Sequence, residues 1–221
     1  MKLGLDDSVG FEPPKILSPD VTVRVRKEIV PGERCPLLNK EYETPKGTLW
    51  QAVCQTKDWP HGDDIPMFTD HVVPRSRSRK YLIETIDGAD ALSCVYSNPS
   101  RRQLDEFADN VSEVRRFAGE NDVFVECGAM DDAMGFFMGD TLAWLCGIEN
   151  TVRFAYAQPD LVNRLLDLIL EWDLRHLEQI STVGGCDVIV HRGWYECYWS
   201  PRLYEAYLVP KLLEGSLESN R

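Results

Sequence analysis

The pattern of apolar and polar positions divides the chain into two stretches of different character. In residues 1–100, short runs such as 21–26 alternate apolar and polar side chains, and this period of two predicts half-exposed β-strands. Two further strands, at 40–44 and 48–53, flank a Pro-Lys-Gly sequence at 45–47 that is typical of a hairpin turn. The first stretch is therefore expected to be rich in β-hairpins and loops, with a short helix that opens at Asp87.

From about residue 101 onward, helical patterns alternate with short apolar strands. The predicted order is a helix over 104–117 that ends at Gly119, a strand at 122–126, short helices at 130–138 and 141–148, a long helix from Pro159 to Gly184, a strand at 186–190 and a last helix that opens at Ser200. Both strands are continuous apolar runs, the pattern of parallel strands that are buried on both faces. This order predicts a parallel α/β architecture, with an open doubly wound sheet as the alternative to a barrel.

Composition and charge exclude several classes of protein. The chain has 24 Lys and Arg against 36 Asp and Glu, a formal charge of −12, which argues against binding to nucleic acid or to anionic membranes. Hydrophobic residues make up 43%, enough for a core, but no apolar run approaches the roughly 18 residues of a membrane span. Seven cysteines without a C-x-x-C pair and the absence of a visible signal sequence predict a cytoplasmic protein with reduced thiols.

Side chains with useful chemistry cluster at the ends of the two predicted parallel strands, where parallel α/β proteins place their active sites. The first strand ends in Glu126, and the second is followed by His191, Arg192, Trp194, Tyr195 and Glu196. We take His191, Glu126 and Glu196 as the candidate catalytic groups, because imidazole and carboxylate side chains act as general acids and bases. The arginine and the two aromatic residues would bind an anionic, partly planar substrate by carboxylate pairing and stacking.

Structural interpretations of the same residues remain open. For His191 the alternative is a hydrogen-bonded structural histidine, and for Glu126 it is a buried ion pair with Arg192. The spacing of His191 and Cys197 matches no standard zinc motif, and His61 is expected in a solvated turn. No metal site is therefore predicted within the chain.

Several segments also occur in the order in which one known family carries them. They are Thr-Pro-x-Gly-x-Leu within 43–49, D-x-x-x-A-L at 87–92, a strand followed by Gly-Ala at 124–129, a G-x-D strand at 184–190, and Ser-Pro-x-x-Tyr at 200–204 with a proline at 210. Together they resemble the uroporphyrinogen decarboxylase family over nearly the whole chain.

The resemblance implies a (β/α)8 barrel of the uroporphyrinogen decarboxylase and methionine-synthase-like superfamily. A complete barrel usually needs about 250 residues. We therefore expect one partial TIM-barrel domain over 1–221, truncated at both ends and without the first barrel strand. Residues 1–100 would form its hairpin-rich portion, and 101–221 would form regular βα units.

The decarboxylase site matches the family only in part. The family's N-terminal arginine motif has no counterpart here, and its catalytic aspartate would fall near Phe11, where this chain continues with Glu12. Its active-site tyrosine would fall at Phe136 or Phe137, and Phe137 is kept as a substrate-binding candidate. In the family's methyltransferases, zinc is held by an H-x-C pair and a later cysteine, which would lie beyond this chain.

The resemblance implies a protein of tetrapyrrole (porphyrin) or corrinoid metabolism. The first expectation is a cytoplasmic lyase that decarboxylates a tetrapyrrole without a cofactor. The alternatives are a methyltransferase that uses zinc, a corrinoid, a methyl donor and a corrinoid protein partner, an inactive tetrapyrrole-binding barrel, and a non-functional fragment. A homodimer is left open.

Overall fold

A computed structural model of the protein describes residues 7–127, 138–184, 186–189 and 198–218. The strands in these ranges are β1 (Ser8–Phe11), β2 (Ile16–Leu17), β3 (Thr22–Glu28), β4 (Leu37–Thr44), β5 (Gly47–Cys54), β6 (Ser78–Lys80), β7 (Tyr96–Ser97), β8 (Phe124–Cys127) and β9 (Val188–Ile189). The helices are α1 (Ile86–Leu92), α2 (Arg101–Asn121), α3 (Met138–Cys146), α4 (Ile148–Ala157), α5 (Pro159–Thr182), α6 (Pro201–Leu203) and α7 (Val209–Glu218). The protein is therefore of the mixed α/β class, as predicted.

A three-stranded parallel sheet, with β8 between β1 and β9, lies at one end of the fold. Phe11 of β1 pairs with Cys127 of β8, which in turn pairs with Ile189 of β9. The helix α2 precedes β8, and α3, α4 and α5 lie between β8 and β9. The predicted alternation of parallel strands and helices is thus confirmed, although no sheet closes into a barrel within the described ranges.

The antiparallel sheet β3-β4-β5-β6 contains the predicted hairpin. Thr44 and Gly47 form the last pair of β4 and β5, and the Thr44 hydroxyl donates to the Gly47 carbonyl at 2.8 Å. Gly47 has a φ of +138°, a conformation that is open to glycine and strained for other residues. The Pro-Lys-Gly sequence at 45–47 therefore contributes to a hairpin turn, as predicted.

Two predicted helix boundaries are wrong. Gly119 lies inside α2 rather than after it, and Asp122 ends the helix instead, with a φ of 55° and its backbone N–H bonded to the carbonyl of Ala118. Aspartate tolerates this left-handed conformation, whereas an exposed glycine within a helix costs only about 1 kcal/mol. The short helix α1 is capped by Thr85, whose side chain accepts from the backbone of Gly88, so Asp87 lies in its first turn.

The parallel sheet differs from the prediction in two further ways. The strand β1 was not predicted, and it pairs in parallel with β8 along its whole length. The expectation of strands buried on both faces is wrong for β8. Val125 and Cys127 pack against Phe107 and Val111 of α2, whereas Phe124 on the other face of β8 is 50% exposed.

The larger hydrophobic core lies between the antiparallel sheet and the helices α1, α3, α4, α5 and α7. The helix α5 begins with Pro159 at its first position, as predicted, and buries a long stripe that includes Leu165 and Ile169. Each such side chain contributes about 1.5–3 kcal/mol when it is fully buried. Among the helices in the described ranges, none combines the length and the apolar character that a membrane crossing requires.

A disulfide joins Cys35 to Cys54 at the end of β5, which corrects the expectation of reduced thiols for this pair. The two Cα atoms are 5.7 Å apart and the cysteines are 19 positions apart in sequence. The bond therefore closes the loop that contains the β4–β5 hairpin. Of the other described cysteines, Cys94, Cys127, Cys146 and Cys186 are not in disulfides.

Reduction of this disulfide is expected to lower the free energy of unfolding by about 3 kcal/mol, because a cross-link over a loop of this length restricts the unfolded chain by about that amount. Urea unfolding with and without dithiothreitol measures the effect. A Cys35→Ser/Cys54→Ser double variant should not respond to the reductant, while Cys94→Ser should respond as the parent does. Identical unfolding midpoints of the parent protein in both conditions would contradict the prediction.

Candidate functional site

The carboxyl ends of the three parallel strands form the candidate site. Phe11, Cys127 and Ile189 end β1, β8 and β9 side by side at one edge of the sheet. Glu12 follows directly after Phe11, so a second carboxylate besides that of Glu126 belongs to this edge. Parallel sheets place their ligands outside this edge because the connecting loops leave a crevice there.

The carboxylate of Glu126 lies on the face of the sheet that α2 does not cover. Its neighbours Val125 and Cys127 point towards α2, and side chains alternate along a strand. Its partners across the sheet are Gly10, which has no side chain, and Val188, which is 46% exposed. Glu126 is half-buried, and within the described ranges no hydrogen bond or ion pair engages its side chain. Among the described residues, nothing therefore competes with a ligand on this face for the Glu126 carboxylate.

Asp187 holds the start of β9 against β8. The backbone N–H of Val125 donates to its carboxylate at 2.9 Å, and its own N–H donates to the Val125 carbonyl at 2.8 Å. Burial, and then the negative charge of Asp187, raises the pKa of the neighbouring Cys186 thiol, which keeps that sulfur protonated. The aspartate of the G-x-D segment thus has a structural role, and Cys186 is poorly suited to act as a nucleophile.

The segments 128–137 and 190–197, which carry the remaining predicted residues, are flanked by neighbouring elements. Residues 128–137 connect the end of β8 to Met138 at the start of α3, and residues 190–197 connect the end of β9 to Tyr198. The Tyr198 hydroxyl donates to the carbonyl of Gly139 in α3 at 2.9 Å. Burial raises the pKa of Tyr198 well above its usual range, so the hydroxyl keeps its proton for this bond. Both segments therefore start on neighbouring strands and end beside the first turn of α3.

Most of the predicted site residues lie outside the described ranges. These are His191, Arg192, Trp194, Tyr195, Glu196 and Phe137. Their assignments stay predictions, as does the ion pair between Glu126 and Arg192. Glu126 is the one predicted site residue that the structure describes, and it is placed at the predicted edge of the sheet.

Two features of this edge were not predicted from the sequence. Glu12 was noted only beside the position of the family's catalytic aspartate, and the strand before it, Ser8–Phe11, was not predicted. Phe124 was assigned to a buried strand, yet half of its surface is open.

The described residues contain no convergent group of three histidine, cysteine or carboxylate side chains that would suit a metal ion. Comparisons with known proteins identify no relative of this chain. No family model, no curated protein and no solved structure matches the chain. The chemistry of the sheet edge and the resemblance of its segments therefore carry the functional interpretation.

Proposed function

We propose that this protein binds and decarboxylates a tetrapyrrole at the carboxyl edge of the parallel sheet. The observation that carries the proposal is the meeting of three strand ends beside Glu12 and Glu126, with an apolar, uncovered face next to them. The resemblance of the surrounding segments to the uroporphyrinogen decarboxylase family supports the same substrate class.

The uncovered face of the sheet suits a large, flat ligand. It presents Phe124 and Val188, which are 50% and 46% exposed, around the bare backbone of Gly10. Parallel sheets are normally covered on both faces, and no described element covers this one, so it leaves room for a broad apolar surface such as a macrocycle. The half-buried carboxylates at this edge suit proton transfer better than binding of a second anion.

Decarboxylation of an acetate side chain needs proton transfer but no cofactor. An acid protonates the pyrrole ring, the bond to the carboxylate breaks, and its electron pair moves into the protonated ring as CO2 leaves. A proton is then added to the exocyclic carbon and the ring proton returns to the protein, so that overall one proton replaces CO2. In this proposal, Glu12, Glu126 and His191 exchange these protons, and Arg192 holds the acetate carboxylate.

Anaerobic incubation of the purified protein with uroporphyrinogen tests this function. The products are oxidised to porphyrins and separated by their number of carboxyl groups. The proposal expects products with seven to four carboxylates in a time-dependent series. A complex that is visible in the absorption spectrum, without any loss of carboxylates, would indicate tetrapyrrole binding in place of catalysis. The absence of both binding and turnover would overturn the proposal.

The methyltransferase alternative rests on the resemblance alone. Its distinguishing measurement is methyl transfer between a methylated corrinoid and a thiol in the presence of zinc. Transfer in this assay, together with unchanged uroporphyrinogen, would favour it over decarboxylation.

A further inference from the structure

Two histidines meet at one threonine in a part of the fold away from the sheet edge. His61 Nε2 and His71 Nδ1 each lie 3.1 Å from the hydroxyl oxygen of Thr69. Thr69 is only 7% exposed, and the buried ring of Trp59 makes edge contacts with both imidazoles at 5.0 and 6.1 Å between ring centroids. The cluster joins the loop that contains His61 to the turn that contains His71.

The hydrogen bonds of this cluster require at least one neutral imidazole. A threonine hydroxyl donates one hydrogen bond and accepts at most two. One acceptor position of Thr69 already receives the backbone N–H of His71, at 3.4 Å. One ring nitrogen can donate into the remaining position, and the other must accept the hydroxyl proton. If both imidazoles were protonated, three donors would face two acceptor positions and the buried hydroxyl would lose its acceptor.

Charge repulsion also disfavours the protonation of both imidazoles. The centroids of the two imidazole rings are 5.1 Å apart, a distance at which two positive charges repel each other strongly in a partly buried site. A single positive charge on the pair meets no such repulsion. The cluster therefore tolerates the first proton and resists the second.

The charged groups around the pair largely compensate one another. Arg77 lies over the Trp59 ring, donates to the His71 carbonyl at 3.4 Å and pairs with Asp58 at 3.0 Å. On the loop side, Asp64 pairs with Lys40 at 2.7 Å and Asp63 pairs with Lys27 at 2.9 Å. The acidic neighbours are thus already engaged by cations, and of these Asp58 also attracts a positive charge on His71, which favours the first proton on the pair.

The turn that carries His71 is tied to α3. Asp70 accepts a hydrogen bond from the indole N–H of Trp144 at 2.8 Å, and Phe68 packs against the same indole ring. A change in the turn can therefore be transmitted to α3.

We propose that His61, Thr69 and His71 form a pH-sensitive clamp that holds the loop to the α3-bound turn and opens when both imidazoles are protonated. Imidazoles gain their protons between about pH 8 and pH 5, so the clamp closes at neutral pH and opens in mild acid. The clamp adds a regulatory response that is independent of which ligand the sheet edge binds.

The sign of the pH effect follows from proton counting. The folded cluster resists its second proton, whereas the unfolded chain accepts both freely. The unfolded state thus binds more protons as the pH falls, and the stability that the closed clamp contributes is present at neutral pH and lost in acid.

Chemical unfolding at pH 7.5 and pH 5.0 of the parent and of His61→Gln tests the clamp. A glutamine side chain can donate to or accept from the threonine without titrating. The unfolding equilibrium constant of the parent is expected to rise about tenfold more than that of His61→Gln over this range, because only the parent has two imidazoles that compete for one acceptor. Equal rises in the two proteins would overturn the proposal.

Histidine NMR of the folded parent protein provides a second measurement that does not depend on the variant. Protonation of one imidazole is expected to oppose protonation of the other because they share one acceptor, so their signals should respond to acid as a coupled pair. In His61→Gln, the pH response of His71 is expected to change because the competing charge is absent. Two independent titrations with coincident midpoints, unchanged by the substitution, would contradict the clamp.

Discussion

Substitution of Gly147 by alanine is expected to lower the free energy of unfolding by about 4 kcal/mol. Gly147 joins α3 to α4 with a φ of +75°, and an added Cβ would lie 2.3 Å from the ring of Tyr81. That ring is 4% exposed, and its hydroxyl donates to the Val73 carbonyl at 2.7 Å, so it cannot move aside cheaply. Backbone strain costs about 1–2 kcal/mol, and overpacking costs about 1–3 kcal/mol.

Gly119→Ala is the matched control for this substitution. Gly119 lies inside α2 on an exposed position, and an added Cβ would meet no atom within 4 Å. Alanine there should stabilise the protein by about 0.5–1 kcal/mol, since it restricts the unfolded chain and favours the helix. Urea unfolding of both variants measures the difference. A Gly147→Ala protein as stable as the parent would contradict the close approach of Gly147 to the Tyr81 ring.

Glu126→Gln and His191→Ala are each expected to reduce the kcat for tetrapyrrole decarboxylation by about 100- to 10,000-fold, the range that general acid–base groups contribute. Glutamine keeps the size of the Glu126 side chain and removes its exchangeable proton. Because that side chain is half-buried, and no ion pair engages it within the described ranges, the fold should tolerate the change. Steady-state kinetics with uroporphyrinogen measure the loss.

Two controls separate catalysis from general effects of charge. Glu120→Gln removes a carboxylate from the exposed end of α2, where it pairs with Arg116, and should leave kcat unchanged. Arg192→Ala should raise KM more than it lowers kcat, because its proposed partner is a substrate carboxylate present before the reaction. A parent-like kcat in both Glu126→Gln and His191→Ala would remove these residues from the mechanism.

The regular parts of the fold were predictable from local patterns. The hairpin at 45–47, the proline that opens α5 and the serine that caps α6 all act through the backbone of their own neighbours. The strand β1 was missed because four residues carry too short a period to separate a strand from a loop. Its pairing with β8, more than a hundred positions away, is a tertiary interaction that no local pattern encodes.

The position of Glu126 was predictable, but its surroundings were not. The rule that ligands lie beyond the carboxyl ends of parallel strands directed attention to this edge of the sheet, and Glu126 lies there. The open face around Phe124 could not be predicted, because an apolar strand gives the same sequence signal whether one face or both are covered. The His61–Thr69–His71 cluster was likewise hidden, since its loop and turn meet only through tertiary packing.

The central claim is that a tetrapyrrole binds on the uncovered face of the parallel sheet, beside Glu126. Hydrogen–deuterium exchange of the protein with and without uroporphyrin tests this location directly, whether or not turnover occurs. The account predicts that the ligand slows exchange in peptides that cover β1, β8 and β9 and leaves the β4–β5 hairpin unchanged. Protection confined to the antiparallel sheet, or no protection at saturating ligand, would contradict it.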